Sequence, residues 1–148
     1  MTSEQEITNS EEETINAGIR FAKKLHPGDT VALFGTLGSG KTEFIKGICH
    51  QFHVTDIVSS PTFTIMNQYT GSDKDSIFQI YHIDLYRIKN KLELAEIGFS
   101  ECLDTKNAIK FIEWAEKANG MLPSKRFDVK IECDVDIENR RNLIIEKI

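Results

Sequence analysis

The sequence of 148 residues has no apolar run that reaches the roughly 18 residues of a membrane-spanning helix, so no bilayer span is expected. Its start, Met1-Thr2-Ser3-Glu4-Gln5-Glu6, is polar and acidic, the reverse of a secretory leader. Cysteine is scarce. Cys49, Cys102 and Cys133 are odd in number, far apart and without a C-x-x-C pair. That argues against a disulfide framework or a zinc site and for a reducing cytoplasm. All three read as small buried hydrophobes, Cys133 within an apolar strand pattern. Basic charge is short as well: 18 Lys and Arg stand against 23 Asp and Glu, a net charge of −5. A protein that grips nucleic acid alone carries a basic face. The pairs Lys23-Lys24, Lys125-Arg126 and Arg140-Arg141 therefore read as solvated surface, and any nucleic acid this protein serves is expected to be held mostly by a partner. There is no internal repeat, linker or low-complexity segment. One domain over 1–148 is expected, with 1–9 a flexible tail.

Against these absences stands one intact motif. Gly35-Thr36-Leu37-Gly38-Ser39-Gly40-Lys41-Thr42 is G-x-x-x-x-G-K-[ST] without a mismatch. At an average glycine usage of about 7%, chance produces this in a chain of such length about once in a hundred sequences or less. The glycines let the backbone curl so that several N–H groups point into one concavity, which the next helix N-terminus completes as a phosphate cradle. Lys41 is placed to reach the β/γ-phosphates and the Thr42 hydroxyl to ligate Mg²⁺. The context fits: Thr30-Val31-Ala32-Leu33-Phe34 is an apolar run suited to a buried strand, and Phe44, Ile45 and Ile48 follow at helical spacing.

The rest of the chain alternates early and pairs late. Ser10-Glu11-Glu12-Glu13 is a capping box that opens a helix with Ile15, Ile19, Ala22 and Leu25 on one face, closed by Pro27-Gly28. After the loop helix, from about Lys41 to Phe52, Ile57-Val58-Ser59 reads as a short strand. Thr62 to Tyr69 and Ile77 to Asp84 read as a hairpin across the polar turn Gly71 to Asp75. Lys89 to Leu103 is helical or irregular with Gly98 interrupting. Ala108 to Trp114 is a buried strand, Ala115 to Met121 a helical turn or two, and Arg126 to Cys133 and Asn142 to Ile148 are two further strands. This order predicts an α/β fold: a single phosphate-loop NTPase-like domain in three layers on a mixed parallel and antiparallel sheet.

Binding a nucleotide needs only the loop; hydrolysis also needs a carboxylate near Mg²⁺ and a group that orients water. Two predicted strands end in acids, Asp84 and Glu113, and ligands of open α/β sheets sit at such strand ends. Either acid alone could equally cap a helix; beside a phosphate loop, a metal or catalytic role for at least one is expected. Ser59-Ser60-Pro61-Thr62-Phe63-Thr64 lies where a switch segment follows a loop helix, so a hydroxyl there could sense the γ-phosphate or its Mg²⁺, or could serve only a local turn. His82 shares strand parity with Asp84. A lone His is usually structural, Arg87 could meet a phosphate or a carboxylate, and Trp114 reads as core.

The phosphate loop, Ser60-Pro61-Thr62-Phe63, His82-Ile83-Asp84-Leu85-Tyr86-Arg87 and Ile112-Glu113-Trp114 together resemble the TsaE (YjeE) family of small bacterial ATPases. Their order and spacing match over nearly the whole domain, and H-x-D-x-Y-R followed by E-W is the specific part. The resemblance implies an ATP/ADP- and Mg²⁺-dependent cytoplasmic subunit that supports formation of threonylcarbamoyladenosine in tRNAs reading codons that begin with A. Such a subunit works with the proteins TsaB and TsaD and meets tRNA through that complex. By family position, Lys41, Thr42 and the rest of Gly35 to Glu43 contact nucleotide and Mg²⁺, Thr62 belongs to the switch-like segment, Asp84 is the catalytic or water-organising acid, and Glu113 is a Mg²⁺ ligand. The chain departs from the usual G-D-L-G-A-G-K-T-T at Thr36 and Glu43, and more mildly at Ser39.

Three other functions share this loop. A small kinase needs an Arg-rich lid, and no Arg-rich segment is present. A GTPase needs N-K-x-D, which Asn90-Lys91-Leu92-Glu93 misses at its last position, and no D-x-x-G stands in the right place. A nucleotide-sensing adaptor would need the loop without turnover.

Overall fold

The computed structural model describes residues 2–36, 38–62, 64–74 and 76–148. Leu37 of the phosphate loop, Phe63 of the expected switch segment and Asp75 of the expected turn lie outside the described residues. The strands are β1 (Thr2–Thr8), β2 (Thr30–Phe34), β3 (Met66–Asp73), β4 (Ser76–Asp84), β5 (Ala108–Glu113), β6 (Phe127–Cys133) and β7 (Arg141–Lys147). The helices are α1 (Glu11–Ala22), α2 (Lys41–Gln51), α3 (Lys91–Glu96) and α4 (Phe99–Leu103), with a 3₁₀ turn at Ala115–Ala118.

All seven strands form one sheet in the order β1-β7-β6-β2-β5-β4-β3. Its centre is parallel, β2 pairing with both β5 and β6 and β4 with β5, while β3, β7 and β1 add antiparallel edges. Two apolar layers flank it. Alternate residues of the central strands, such as Val31, Leu33, Ile80, Ile109, Phe111 and Val129, pack under α1 and α2. Ala32, Ile83 and Ile112 face the other way, with Leu94 and Phe99 of α3 and α4. The three-layer mixed α/β expectation therefore holds, because β5 is buried along its whole length and needs cover on both faces.

Ser10 caps α1 as its sequence predicts, its Oγ accepting from Glu13 N–H at 3.1 Å. The buried face, however, is Thr14, Ala17, Gly18, Phe21 and Ala22, and the expected Ile15 and Ile19 are only half-buried. The cause is a glycine contact with α2. A Cβ on Gly18 would lie 2.1 Å from Phe44 O, and one on Gly47 would lie 1.9 Å from Ile15 O. The two helices touch backbone to backbone, which turns small residues rather than isoleucines inward.

Three other expectations are corrected. Residues 2–8 are not a flexible tail: β1 pairs with β7 in full register from Thr2↔Lys147 to Thr8↔Arg141. Glu6 also pairs with Arg20 of α1, and Glu4 with Lys24 just past the end of that helix. The strand is held by main-chain pairing and surface charge, so it shows almost no hydrophobic alternation. Ile57-Val58-Ser59 forms no strand, since the free side of β4 is taken by β3; Ile57 is 90% exposed. Cys133 is exposed rather than buried, at the end of β6 where the strand's last two residues are both exposed. Cys49 is buried, its thiol pushed up to about 12 by that burial. Asn90-Lys91-Leu92-Glu93 opens α3, with Asn90 Oδ1 accepting from Glu93 N–H at 3.1 Å. Gly98, left-handed at φ 70°, divides α3 from α4.

Gly47→Ala tests the helix contact. Alanine favours a helix by about 1 kcal/mol over glycine, yet overpacking against an unyielding carbonyl is the larger effect. A net loss of about 2–3 kcal/mol is expected in urea unfolding; a neutral or stabilised variant would refute the backbone contact.

Candidate functional site

The site lies at the carboxyl ends of the parallel strands. The phosphate loop leaves β2 and enters α2 through Gly40, which is left-handed at φ 102° and supplies no side-chain cap. The first amides of α2 are thus left facing the cleft, with the positive end of the helix dipole behind them. Gly35 is required for space as well as conformation, because a Cβ there would stand 2.5 Å from Ile131 O. Lys41 is almost buried; its Nζ donates to Gly35 O at 2.6 Å and lies 4.3 Å above the Trp114 ring. Burial lowers its pKa, and the negative charges of Glu113, Asp84 and Glu116 work against that effect.

The two acids are neighbours. β4 and β5 run in parallel register with Asp84 opposite Glu113, and Glu113 is in turn opposite Leu33, two residues before the loop begins. Both are 2% exposed yet line the cleft, together with residues 38–43, Ser60, Thr62 and Trp114. Each is held by a different set of donors. Asp84 Oδ2 accepts from the Thr62 hydroxyl at 2.9 Å and the Ser60 hydroxyl at 3.3 Å, and Oδ1 accepts from Tyr86 N–H at 2.9 Å. Glu113 Oε2 lies 2.5 Å from His82 Nε2 in a fully buried contact.

The structure therefore gathers Lys41, Thr42, Glu43, Thr62, Asp84 and Glu113 in one cleft with Gly38, Ser39 and Gly40. Gly35 meets it through Lys41, Thr36 is an exposed loop residue, and Leu37 is outside the described residues. A hydroxyl and two carboxylates are hard oxygen donors of the kind Mg²⁺ selects. Among the described residues no cluster of three or more His, Cys, Asp or Glu forms a ready-made cage. That fits an ion that takes one or two carboxylates and completes its shell with phosphate and water.

Sequence reasoning missed three participants. Trp114 is not simply core: it is left-handed at φ 58°, stacks 5.0 Å from Tyr86 and forms a wall of the cleft. A bulky residue in that region is strained. Arg141 is not solvated surface, for its guanidinium donates to Gly38 O at 3.2 Å. It opens a second cleft, with Glu11, Thr14 and Asn139, that shares Gly38, Gly40 and Glu43 with the first. Cys133, from the same side, directs its thiol to Gly38 O at 3.6 Å. No spacing rule links β6 or β7 to a phosphate loop, so nothing in the sequence signalled these contacts.

Comparison with known proteins agrees with this fold. The family model described as threonylcarbamoyl adenosine biosynthesis protein TsaE matches residues 8–143. The chain is 40% identical over 148 residues to the tRNA threonylcarbamoyladenosine biosynthesis protein TsaE of Rickettsia bellii, covering 99% of this chain and 98% of the relative. It is 37% identical to the protein of that name from Bacillus subtilis, over 80% of this chain and 68% of the relative. The crystal structure of Bacillus subtilis YdiB superposes with a TM-score of 0.79 at 28% identity, covering 99% of this chain and 86% of that one.

Glu43 carries a negative charge into the first turn of α2 at the cleft wall. Two unit charges about 4 Å apart in water interact by about 1 kcal/mol, so Glu43→Thr is expected to tighten binding of a fluorescent ATP analogue by up to about fivefold. Equal or weaker binding by the variant would show that Glu43 does not oppose the phosphates.

Proposed function

The chain belongs to the TsaE family, and on that premise we propose that it binds ATP along the phosphate loop and hydrolyses it in support of tRNA threonylcarbamoyladenosine biosynthesis. The observation that carries this reading is the in-register pair Asp84–Glu113 beside Lys41 and Thr42. A loop that only bound phosphate would not require two buried carboxylates, which are costly to desolvate, at its edge.

The roles follow from the contacts. The amides of residues 38–43 and the Lys41 ammonium receive the phosphates, and Lys41 exchanges its Gly35 carbonyl for a phosphate oxygen. Thr42 and Glu113 would hold Mg²⁺, which when bound would supply positive charge against the phosphates. Asp84, fixed on both oxygens by Thr62, Ser60 and Tyr86, orients the attacking water. Thr62 and Ser60 join the 60–62 segment to that acid, so a change at the γ-phosphate is communicated to this loop. The second cleft, bounded by Arg141, Asn139, Glu11 and Thr14, receives the nucleoside half, since it shares Gly38 and Gly40 with the phosphate cleft. The protein works in the cytoplasm with TsaB and TsaD. The net charge of −5 suits a subunit that leaves the tRNA to its partners.

Lys41→Ala is expected to abolish nucleotide binding. Asp84→Ala and Glu113→Ala are expected to lower hydrolysis by about 10²-fold or more, with the circular dichroism of the fold unchanged. Release of free phosphate, stimulated when the protein is mixed with TsaB and TsaD, is the positive result. A phosphorylated acceptor would make the protein a kinase. An Asp84→Ala variant that is inactive in hydrolysis but still supports tRNA modification would make it an adaptor.

A further inference from the structure

His82 belongs to neither the phosphate loop nor the walls of the cleft, yet it is fully buried on β4 two residues before Asp84. Its two ring nitrogens have unequal fates. Nε2 meets Glu113 Oε2 at 2.5 Å, whereas Nδ1 is buried with no hydrogen-bond partner among the described residues. An unpaired buried polar atom is destabilising, and an apolar side chain of similar size would fill the same space without that cost. The imidazole therefore has one polar contact to account for its presence. A carboxylate can only accept, so Nε2 carries the proton, and the bare Nδ1 is left as an acceptor.

The consequence falls on Glu113. This side chain has three rotatable bonds and stands beside the Lys41 ammonium, whose strongest charge interaction is with Glu113 itself. Left free, the two would close into an ion pair across the cleft. Lys41 instead donates to Gly35 O, and no ion pair between Lys41 and Glu113 forms among the described residues. With Oε2 engaged by the imidazole, Oε1 is the oxygen left for the cleft that Glu113 lines.

We propose that His82 is a positioning residue for the divalent cation: its Nε2–H fixes the Glu113 carboxylate so that the second oxygen faces the nucleotide-bound metal. This rests on Glu113 being a ligand to that metal. Hydrogen-bonded outer partners of metal ligands typically contribute 10–100-fold to metal affinity.

The test measures binding of Mn²⁺, as a paramagnetic stand-in for Mg²⁺, to the ADP-loaded protein by electron paramagnetic resonance. Wild type is compared with Glu113→Gln, His82→Leu and His82→Gln, the last of which can return an N–H to the position of the ring Nε2. His82→Leu is expected to weaken the cation about 10–100-fold while cation-free ADP affinity stays within about twofold, and His82→Gln to recover most of the loss. Weak Mn²⁺ binding in Glu113→Gln with wild-type binding in His82→Leu would overturn the positioning role and leave the metal role of Glu113 standing. Wild-type binding in Glu113→Gln would overturn both. Should His82→Leu fail to fold, nitrogen-15 spectra of the wild-type ring decide the matter. Protonation on Nε2, with that proton's signal lost or moved in Glu113→Gln, supports the proposal, and protonation on Nδ1 refutes it.

Discussion

The register of three parallel strands governs everything else in this molecule. With β5 between β2 and β4, Leu33 lies opposite Glu113 and Glu113 opposite Asp84, so one row across the sheet sets the phosphate loop, the first acid and the second acid side by side. Side chains alternate between faces with a period of two. Leu33 and Phe111 therefore announce that Glu113 faces α2, as Ile80 announces it for His82 and Asp84. A slip of one residue between β4 and β5 would carry either acid to the α3–α4 side, away from the helix whose amides face the cleft. The apolar residues on both faces oppose that slip, since it would also turn Phe111 and Ile112 to the wrong layers. Core packing and site assembly are thus the same constraint seen from two ends of the strands.

Gathering two nearly buried carboxylates beside a nearly buried lysine creates an electrostatic problem, and the surrounding groups are its solution. Asp84 receives two hydroxyls and one amide, Glu113 receives an imidazole, and Lys41 receives a carbonyl and the face of an indole. Each charge is met by a group other than its opposite across the cleft. An ion pair would be the simpler local answer, but closing it would remove the space that the proposed phosphate and metal would occupy. These partners keep the charges apart and available, the preorganisation that the proposed hydrolysis would use.

Much of this was legible. The loop motif, the helix cap at Ser10, the acid-terminated strands and the helical interruption at Gly98 all follow from local chemistry, and the structure reproduces them. Strand parity even places His82 with Asp84. What local chemistry cannot convey is which strands become neighbours. The insertion of β5 between β2 and β4 brings Glu113 within reach of His82, 31 positions away in the chain. The approach of β6 and β7 to the loop brings Cys133 and Arg141 to Gly38, 95 and 103 positions away. β1 escaped notice for another reason: an edge strand stabilised by main-chain pairing and by Glu–Arg and Glu–Lys contacts has no need of alternating hydrophobes. The inward face of α1 was misjudged because Gly18 and Gly47, invisible to any hydrophobicity count, let the two helix backbones touch.

The acid pair is also bracketed by strain. Ile65, just after the switch-like segment, is left-handed at φ 70°, and Trp114, just after Glu113, at φ 58°. Neither residue type favours that region, and each such position costs about 1–3 kcal/mol. Both are bound to the acids through the main chain. Ile65 O accepts from Asp84 N–H at 2.7 Å, and Glu113 O, immediately before Trp114, accepts from Leu85 N–H at 3.1 Å. The backbone is therefore bent sharply at the two points where it must leave the sheet without carrying the carboxylates along. Relaxing Trp114 to an extended conformation would prolong β5 and move the indole from above Lys41, while relaxing Ile65 would withdraw the carbonyl that anchors Asp84. The strain at these turns and the geometry of the acids are two consequences of ending β4 and β5 in the same row.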